Sequence, residues 1–175
     1  MKVLIDACVL YPTVLRRVVL ETAGAGVFTP LWSARILEEW SRAALRNRAE
    51  AGAEIALLRA EWPDAEISVM VATERRLHLP DPDDDHVLAA AIDGGADELL
   101  TLNVKDFPTR ALAAEGIIRR HPDEFLLEVY HAGAVNLAGI VAGVHADAQR
   151  MAGEDLPLRG LLKRARLPRL GKALG

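Results

Sequence analysis

The chain predicts an α/β fold, a central parallel sheet between layers of helices, and three observations carry that expectation. A short apolar run at residues 3–5 and a Leu-rich stretch at 98–102 lack the in-out alternation of a half-exposed strand, as expected for strands buried on both faces. Longer stretches with helical spacing lie between such runs, and strands alternating with helices build a parallel sheet covered on both sides. Polar groups follow the strands at once: Asp6 after the first, Asn103 and Asp106 after the later one.

Taken in order, residues 3–5 form the first strand, and Tyr11-Pro12 breaks the chain after it. Residues 14–23 read as a helix stopped by Gly24 and Gly26, and residues 27–32 as a second strand or extended piece. Ser33 is a plausible N-cap for a helix whose apolar positions include Ile36, Leu37, Trp40, Ala44 and Leu45. A further helix over residues 50–62 ends at Trp62-Pro63. The helix with core residues 87–92 ends at Gly94-Gly95, a pair suited to a left-handed stop. A strand at 98–102, a loop at 103–108, a weaker strand near Ile117-Ile118 and helices at 122–130 and 134–151 complete the expectation.

With 175 residues, 51% of them hydrophobic, the chain can bury a sizeable core in one domain, expected over residues 1–155. A net charge of −4 gives no overall basic signature, so contact with nucleic acid has to come from local patches. Residues 156–175 break the average: no acid occurs there, while Arg159, Lys163, Arg164, Arg166, Arg169 and Lys172 do. This stretch reads as a basic tail, either a solubilising end or a contact surface for an acidic ligand or partner. The single cysteine, Cys8, excludes a disulfide framework and a Cys-based zinc site and implies a reducing compartment. The start MKVLIDACVL lacks the form of a signal peptide, and no apolar run approaches the roughly 20 residues of a membrane helix. A soluble, cytoplasmic protein without a membrane segment is expected.

The stretch LPDPDDDHVLAAAI places Asp81, Asp83, Asp84 and Asp85 within five residues of one another at a helix start. A helix N-terminus favours carboxylates, so these side chains can be ordinary cap and first-turn residues. A calcium loop is excluded by spacing, since the required Gly and distant Glu are replaced by an immediate Val87-Leu88-Ala89. In an open parallel sheet, however, groups beyond the C-terminal ends of strands share one edge, the edge where ligands bind. Asp6, Asn103 and Asp106 meet that rule, and Glu38-Glu39 lies on the helix after the second strand. At most one of that neighbouring pair can face inward, and the spacing does not choose between them.

Four motifs, LIDACVLYP, SARILEEW, DPDDDHVLAAAI and LLTLNVKDFP, resemble those of the PIN-domain ribonucleases, especially the toxin-like bacterial branch that includes the VapC proteins. The resemblance spans residues 1 to about 130 and implies a three-layer α/β/α fold. Carried across residue by residue, it implies that Asp6, Glu39, Asp84 and Asp106 are the metal-facing acids. Asp85 competes with Asp84, because this chain has Asp where relatives often have Arg before His. Asn103 and Thr101 match the polar positions beside Asp106. The implied activity is hydrolysis of RNA phosphodiesters with Mg²⁺ or Mn²⁺, leaving 5′-phosphate and 3′-hydroxyl ends. The implied partners are an RNA substrate and an inhibitory antitoxin protein, with a homodimer as a further expectation.

The residue chemistry agrees with that implication. Clustered carboxylates raise one another's pKa unless cations neutralise them, and hard divalent cations prefer oxygen ligands. An acidic centre repels phosphates, so cations are needed around it; candidates are Arg16, Arg17, Arg35, Arg42, Lys105 and the basic tail, with Thr101 as a polar contact. Trp32, Trp40 and Trp62 read as core or interface residues, His86 and His121 as structural. Two rival readings stand beside this one. An aspartyl-phosphate enzyme could use Asp6 with Thr101 and Lys105, although the acid often found two residues after such a nucleophile is Cys8 here. A catalytically silent scaffold that binds a protein is the other.

Overall fold

The computed structural model describes all 175 residues. In chain order the elements are β1 (Lys2–Ile5), α1 (Ala7–Leu10), α2 (Thr13–Gly24), β2 (Thr29–Ser33), α3 (Ala34–Arg46), α4 (Gly52–Glu61), β3 (Glu66–Ile67) and α5 (Val71–Arg75). A 3-10 turn (Pro82–Asp84) then leads into α6 (Asp85–Asp93), β4 (Glu98–Leu100), α7 (Thr109–Ala114), β5 (Ile118–Arg120), α8 (Pro122–Ala132), α9 (Leu137–Ala152), α10 (Leu158–Arg164) and α11 (Pro168–Leu174). The chain forms two compact units, Met1–Tyr11 with Thr29–Arg120, and Pro12–Phe28 with His121–Gly175.

The first unit contains a five-stranded, all-parallel sheet in the order β3-β2-β1-β4-β5, with helices around it. This is the α/β class expected from the alternation of strands and helices. Strand β1 lies at the centre because Val3, Leu4 and Ile5 are wholly buried and can be flanked on both edges. It pairs Leu4 with Leu31 of β2 and with Leu99 of β4. Helix α6 packs on β1, β2 and β4 through Val87, Leu88, Ala89, Ala90 and Ala91, all buried; three small side chains in that run let helix and sheet approach closely. Gly95 ends the helix at φ +64°, the left-handed conformation that glycine adopts without steric cost. Because the chain leaves β1 for β2 on one side and β4 lies on the other, the order switches between β1 and β4. A crevice at the C-terminal ends of those strands is where such sheets bind ligands.

Several boundaries differ from expectation for identifiable reasons. Strand β4 stops at Leu100 because the Thr101 side chain turns the chain, its Oγ1 accepting from Asn103 N at 3.0 Å. The two-residue β3 and the short α5 have too few residues for a periodic signal. Helix α5 is held by a distant group, Asp93, which accepts from Met70 N at 2.6 Å and Thr73 Oγ1 at 2.8 Å.

The second unit is helical. Helix α2 packs with α9, and α8 packs with α9 and α11; Phe28 and Phe125 meet edge to face, with ring centroids 5.3 Å apart. The compact units do not follow the expected division at residue 155: α2 groups with the C-terminal helices, and residues 156–175 carry two helices, α10 and α11. Reading that stretch by charge alone hides its apolar spacing, for Leu161, Leu162, Leu167 and Leu170 are all buried. Asp123, itself 3% exposed, accepts from Arg169 N at 2.9 Å and Leu170 N at 3.0 Å, satisfying two donors at the start of α11. No helix is long and apolar enough to cross a membrane.

Candidate active site

Asp6 follows the last residue of β1 and is anchored by its backbone N–H donating to Leu100 O at 3.0 Å. Its side chain is 5% exposed, and its Oδ2 accepts from Thr101 Oγ1 at 2.7 Å and Cys8 Sγ at 3.1 Å. Leu102 N in turn donates to Cys8 Sγ at 3.3 Å. Two strand ends are thus tied together through one carboxylate oxygen. Burial pushes the Asp6 carboxyl above the ordinary range and the charge of Glu39 adds to this, while the bonds from Thr101 and Cys8 oppose it. Burial and then the Asp6 charge also push the Cys8 thiol up, so it remains a thiol donor rather than a nucleophile.

Helix α3 begins at Ser33, whose Oγ accepts from Ile36 N at 3.3 Å. Its apolar face buries Ile36, Leu37, Trp40 and Ala44. The i, i+3, i+4, i+7 set Glu39, Arg42, Ala43 and Arg46 lies along a cavity of about 430 Å³ that is also lined by Asp6, Ala7, Cys8, Tyr11, Asp84 and Asn103. The Glu38-Glu39 pair is thereby divided: Glu38 pairs with Arg42 along the helix, whereas Glu39 enters the cavity and meets His86. His86 is 2% exposed, and its Nε2 lies 2.7 Å from Glu39 Oε1.

The four carboxylates of the acidic stretch separate by helical phase. Asp81 caps the 3-10 turn, accepting from Asp83 N at 3.0 Å; Asp83 is exposed. Asp84 faces the cavity. Its pKa is pushed up to about 6, first by burial and then by the charges of Asp6, Asp81, Asp106 and Glu39. Asp85 turns away, its Oδ1 accepting from Leu79 N at 2.8 Å, and lines a separate hollow with Val71, Glu74, Arg75, Leu77 and His78. Asp85, expected beside Asp84 as a metal ligand, thus lies outside the cavity that Asp84 faces.

Asp106 is partly buried and close enough to Asp84 to raise its pKa. Its loop is held by Phe107, wholly buried, and by Arg119, whose Nη1 donates to the carbonyls of Val104 and Phe107. Asn103 reaches the cavity, and Lys105 is exposed on the same loop. Three expected substrate contacts sit elsewhere. Thr101 is wholly buried and its hydroxyl is committed to Asp6 and Asn103 N, so it positions Asp6. Arg16 is buried on α2 in the other unit. Arg35 pairs with Glu74 at 2.8 Å beside another hollow. Tyr11, Arg46 and the His86 partnership escaped sequence reasoning. Spacing along α3 from Glu39 could have found Arg46, but nothing in the sequence marks a partner 47 residues away.

The donor set matches a hard divalent cation in kind, since Asp6, Glu39, Asp84 and Asp106 offer only carboxylate oxygens and repel one another. As placed, no three His, Cys, Asp or Glu side chains form a group that could hold an ion.

The PIN domain family model matches residues 2–105. A stretch of 45 residues is 49% identical to a Mycobacterium tuberculosis (strain ATCC 25618 / H37Rv) protein described as "Putative ribonuclease VapC50"; it covers 26% of this chain and 27% of that relative. The match thus spans about a quarter of the relative's length. No solved structure matches. With its family match running through β1, α3, α6, β4 and the loop that follows, the chain belongs to the PIN domain family.

Proposed function

We propose that the protein is a divalent-cation-dependent endoribonuclease, acting as the toxin of a toxin–antitoxin pair. The observation that carries this reading is the electrostatic coupling of Asp84 to Asp6, Glu39 and Asp106 at the β1/β4 switch, under a wall bearing Arg42 and Arg46. The ribonuclease name of the partial relative supports the substrate class. Asp6, Glu39, Asp84 and Asp106 would hold Mg²⁺ or Mn²⁺. When bound, the cation supplies neutralisation of phosphate charge and an acidified water.

The chain's own residues supply the rest. Thr101 and Cys8 fix Asp6 at Oδ2, and His86 fixes Glu39 at Oε1. Arg46 offsets the carboxylates so that a phosphate can enter the cavity, Arg42 beside it being paired with Glu38, and Lys105 adds a cation on the neighbouring loop. The Asn103 amide gives the same cavity a donor and an acceptor for a phosphate oxygen or a ribose hydroxyl. The phosphoenzyme alternative has less support. Two residues after Asp6, the Cys8 thiol donates to the carboxylate that would have to attack, and its raised pKa makes it a poor proton shuttle.

The test is cleavage of end-labelled single-stranded and structured RNA by the full chain with Mg²⁺, Mn²⁺ or a chelator. Cleavage with either metal that disappears in chelator and in Asp6→Asn is expected. Full cleavage after removal of metal, or by Asp6→Asn, would overturn the proposal.

A further inference from the structure

The helical unit carries a cationic surface that the cavity chemistry does not use. Helices α10 and α11 pack as a hairpin, with a close approach at Gly171, where a Cβ would stand 3.1 Å from Leu162 Cβ. Its apolar side chains point inward, and Arg159, Lys163, Arg164, Arg166, Arg169 and Lys172 are all exposed. Arg169 pairs with Glu124 at 3.2 Å, while the other five cations have no acidic partner. Taking these six charges from the total of −4 leaves −10 for residues 1–155, so the hairpin is a cationic island on an acidic chain.

A second observation comes from the backbone. Arg166 occupies the turn between the helices at φ +64°, and Leu167 N donates to Leu162 O at 2.8 Å in the hydrogen bond that closes a helix end of this type. Glycine is the residue that fits such a position without steric cost, as Gly133 and Gly153 do after α8 and α9. At the hairpin tip a long cation stands there instead. The exposed tip of the hairpin thus carries a cation where a glycine would leave none.

We propose that residues 158–174 form a nucleic-acid contact, made of residues none of which lines the carboxylate cavity, that binds the phosphate backbone of RNA. A phosphate chain presents acceptors alone and suits a surface of unpaired donors. A protein partner would call for an apolar centre, and none of the large exposed apolar side chains, Met1, Leu45, Leu57, Met70, Val71, Ile118 and Met151, lies in the hairpin. The choice of RNA among polyanions rests on the ribonuclease reading.

The experiment measures binding of the full chain to a fluorescent single-stranded RNA in chelator over a range of salt, so that loss of cleavage does not enter. Lys163→Gln/Lys172→Gln should weaken binding about 3- to 10-fold at low salt and reduce the log–log salt slope by about 1.4, roughly 0.7 per phosphate contact on a single strand. Arg166→Gly should weaken binding while unfolding at the same or a higher temperature, which separates binding from folding. The control Arg59→Gln/Arg76→Gln removes the same net charge from two cations already paired with Glu66 and Glu115, and it should bind RNA like wild type. Equal weakening by both double variants would reduce the effect to overall charge and overturn the proposal. So would unchanged affinity in the hairpin variants, or polyglutamate bound as tightly as RNA. Retained binding in a chain that cleaves nothing would sink the nuclease reading and leave the hairpin standing.

Discussion

His86 Nε2 lies 2.7 Å from Glu39 Oε1, while the other ring nitrogen, Nδ1, is buried without a partner. A carboxylate only accepts, so Nε2 carries the proton and donates, and the imidazole is spent on holding Glu39. His86→Ala should lower RNA cleavage about 10- to 100-fold, the usual scale for losing a group that orients a ligand side chain. His86→Gln, which can restore an N–H to the same oxygen, should recover most of it. Equal loss in both variants, measured as kcat and KM at saturating Mg²⁺, would show that His86 serves packing alone.

Thr101 joins β4 to the carboxylate after β1, donating to Asp6 and accepting from Asn103 N. Thr101→Val keeps the shape but leaves two groups short of a partner, and should cost about 1–3 kcal/mol in urea unfolding. Thr101→Ser keeps both hydrogen bonds and loses a methyl, costing about 1 kcal/mol. A valine variant as stable as wild type would mean that the hydroxyl contributes nothing to holding Asp6.

Asp84 makes stability depend on pH in a definite direction. Its folded pKa of about 6 lies above the ordinary 3.8, so between those values the native state holds a proton that the unfolded chain has released. Stability from this group is therefore highest below about pH 4, falls as pH rises toward 6, and stays lower above it. Because Asp84 is partly solvated, the fall should be only about 1 kcal/mol. In chelator, the difference between wild type and Asp84→Asn across pH 4 to 7 should show this loss in wild type alone; a flat difference would contradict the coupling of the carboxylates.

Asp123 predicts the behaviour of the C-terminal hairpin. Removing its carboxylate in Asp123→Ala strips the acceptor from Arg169 N and Leu170 N and should cost about 1–2 kcal/mol. Hydrogen exchange should quicken across residues 158–174 before the rest of the chain. Asp123→Asn, which keeps an acceptor, should protect more; no change in exchange would show that α11 needs no cap.

What was legible beforehand followed from local pattern. The buried run at residues 3–5 marked the central strand, and a polar residue directly after a strand marked Asp6 and Asn103. Motif resemblance named Glu39 and Asp84, whose positions in the structure depend on helical phase: one residue along α3 exchanges the cavity for an ion pair with Arg42, and one residue along the acidic stretch exchanges it for Leu79 N. Contacts distant in sequence were not legible. His86 reaches Glu39 across 47 residues, and Asp123 caps α11 across 46 and 47. The hairpin is masked in the sequence for a different reason: six cations are interleaved with its four buried leucines.

A helix-start carboxylate and an ion-binding carboxylate respond oppositely to the same substitution. In chelator, Asp6→Asn and Asp84→Asn should each unfold at the wild-type temperature or above, since like-charge repulsion is relieved; a purely capping Asp84 would instead lose about 0.3–1 kcal/mol of charge–dipole attraction. Mg²⁺ should reverse the order, because an ion that binds the folded wild type stabilises it by mass action. Thermal unfolding of the three proteins with and without Mg²⁺ is the deciding measurement. Stabilisation of wild type by Mg²⁺, absent from both Asn variants, is predicted; stabilisation of all three to the same extent would mean that Asp6 and Asp84 hold no ion and that the ribonuclease proposal has lost its chemistry.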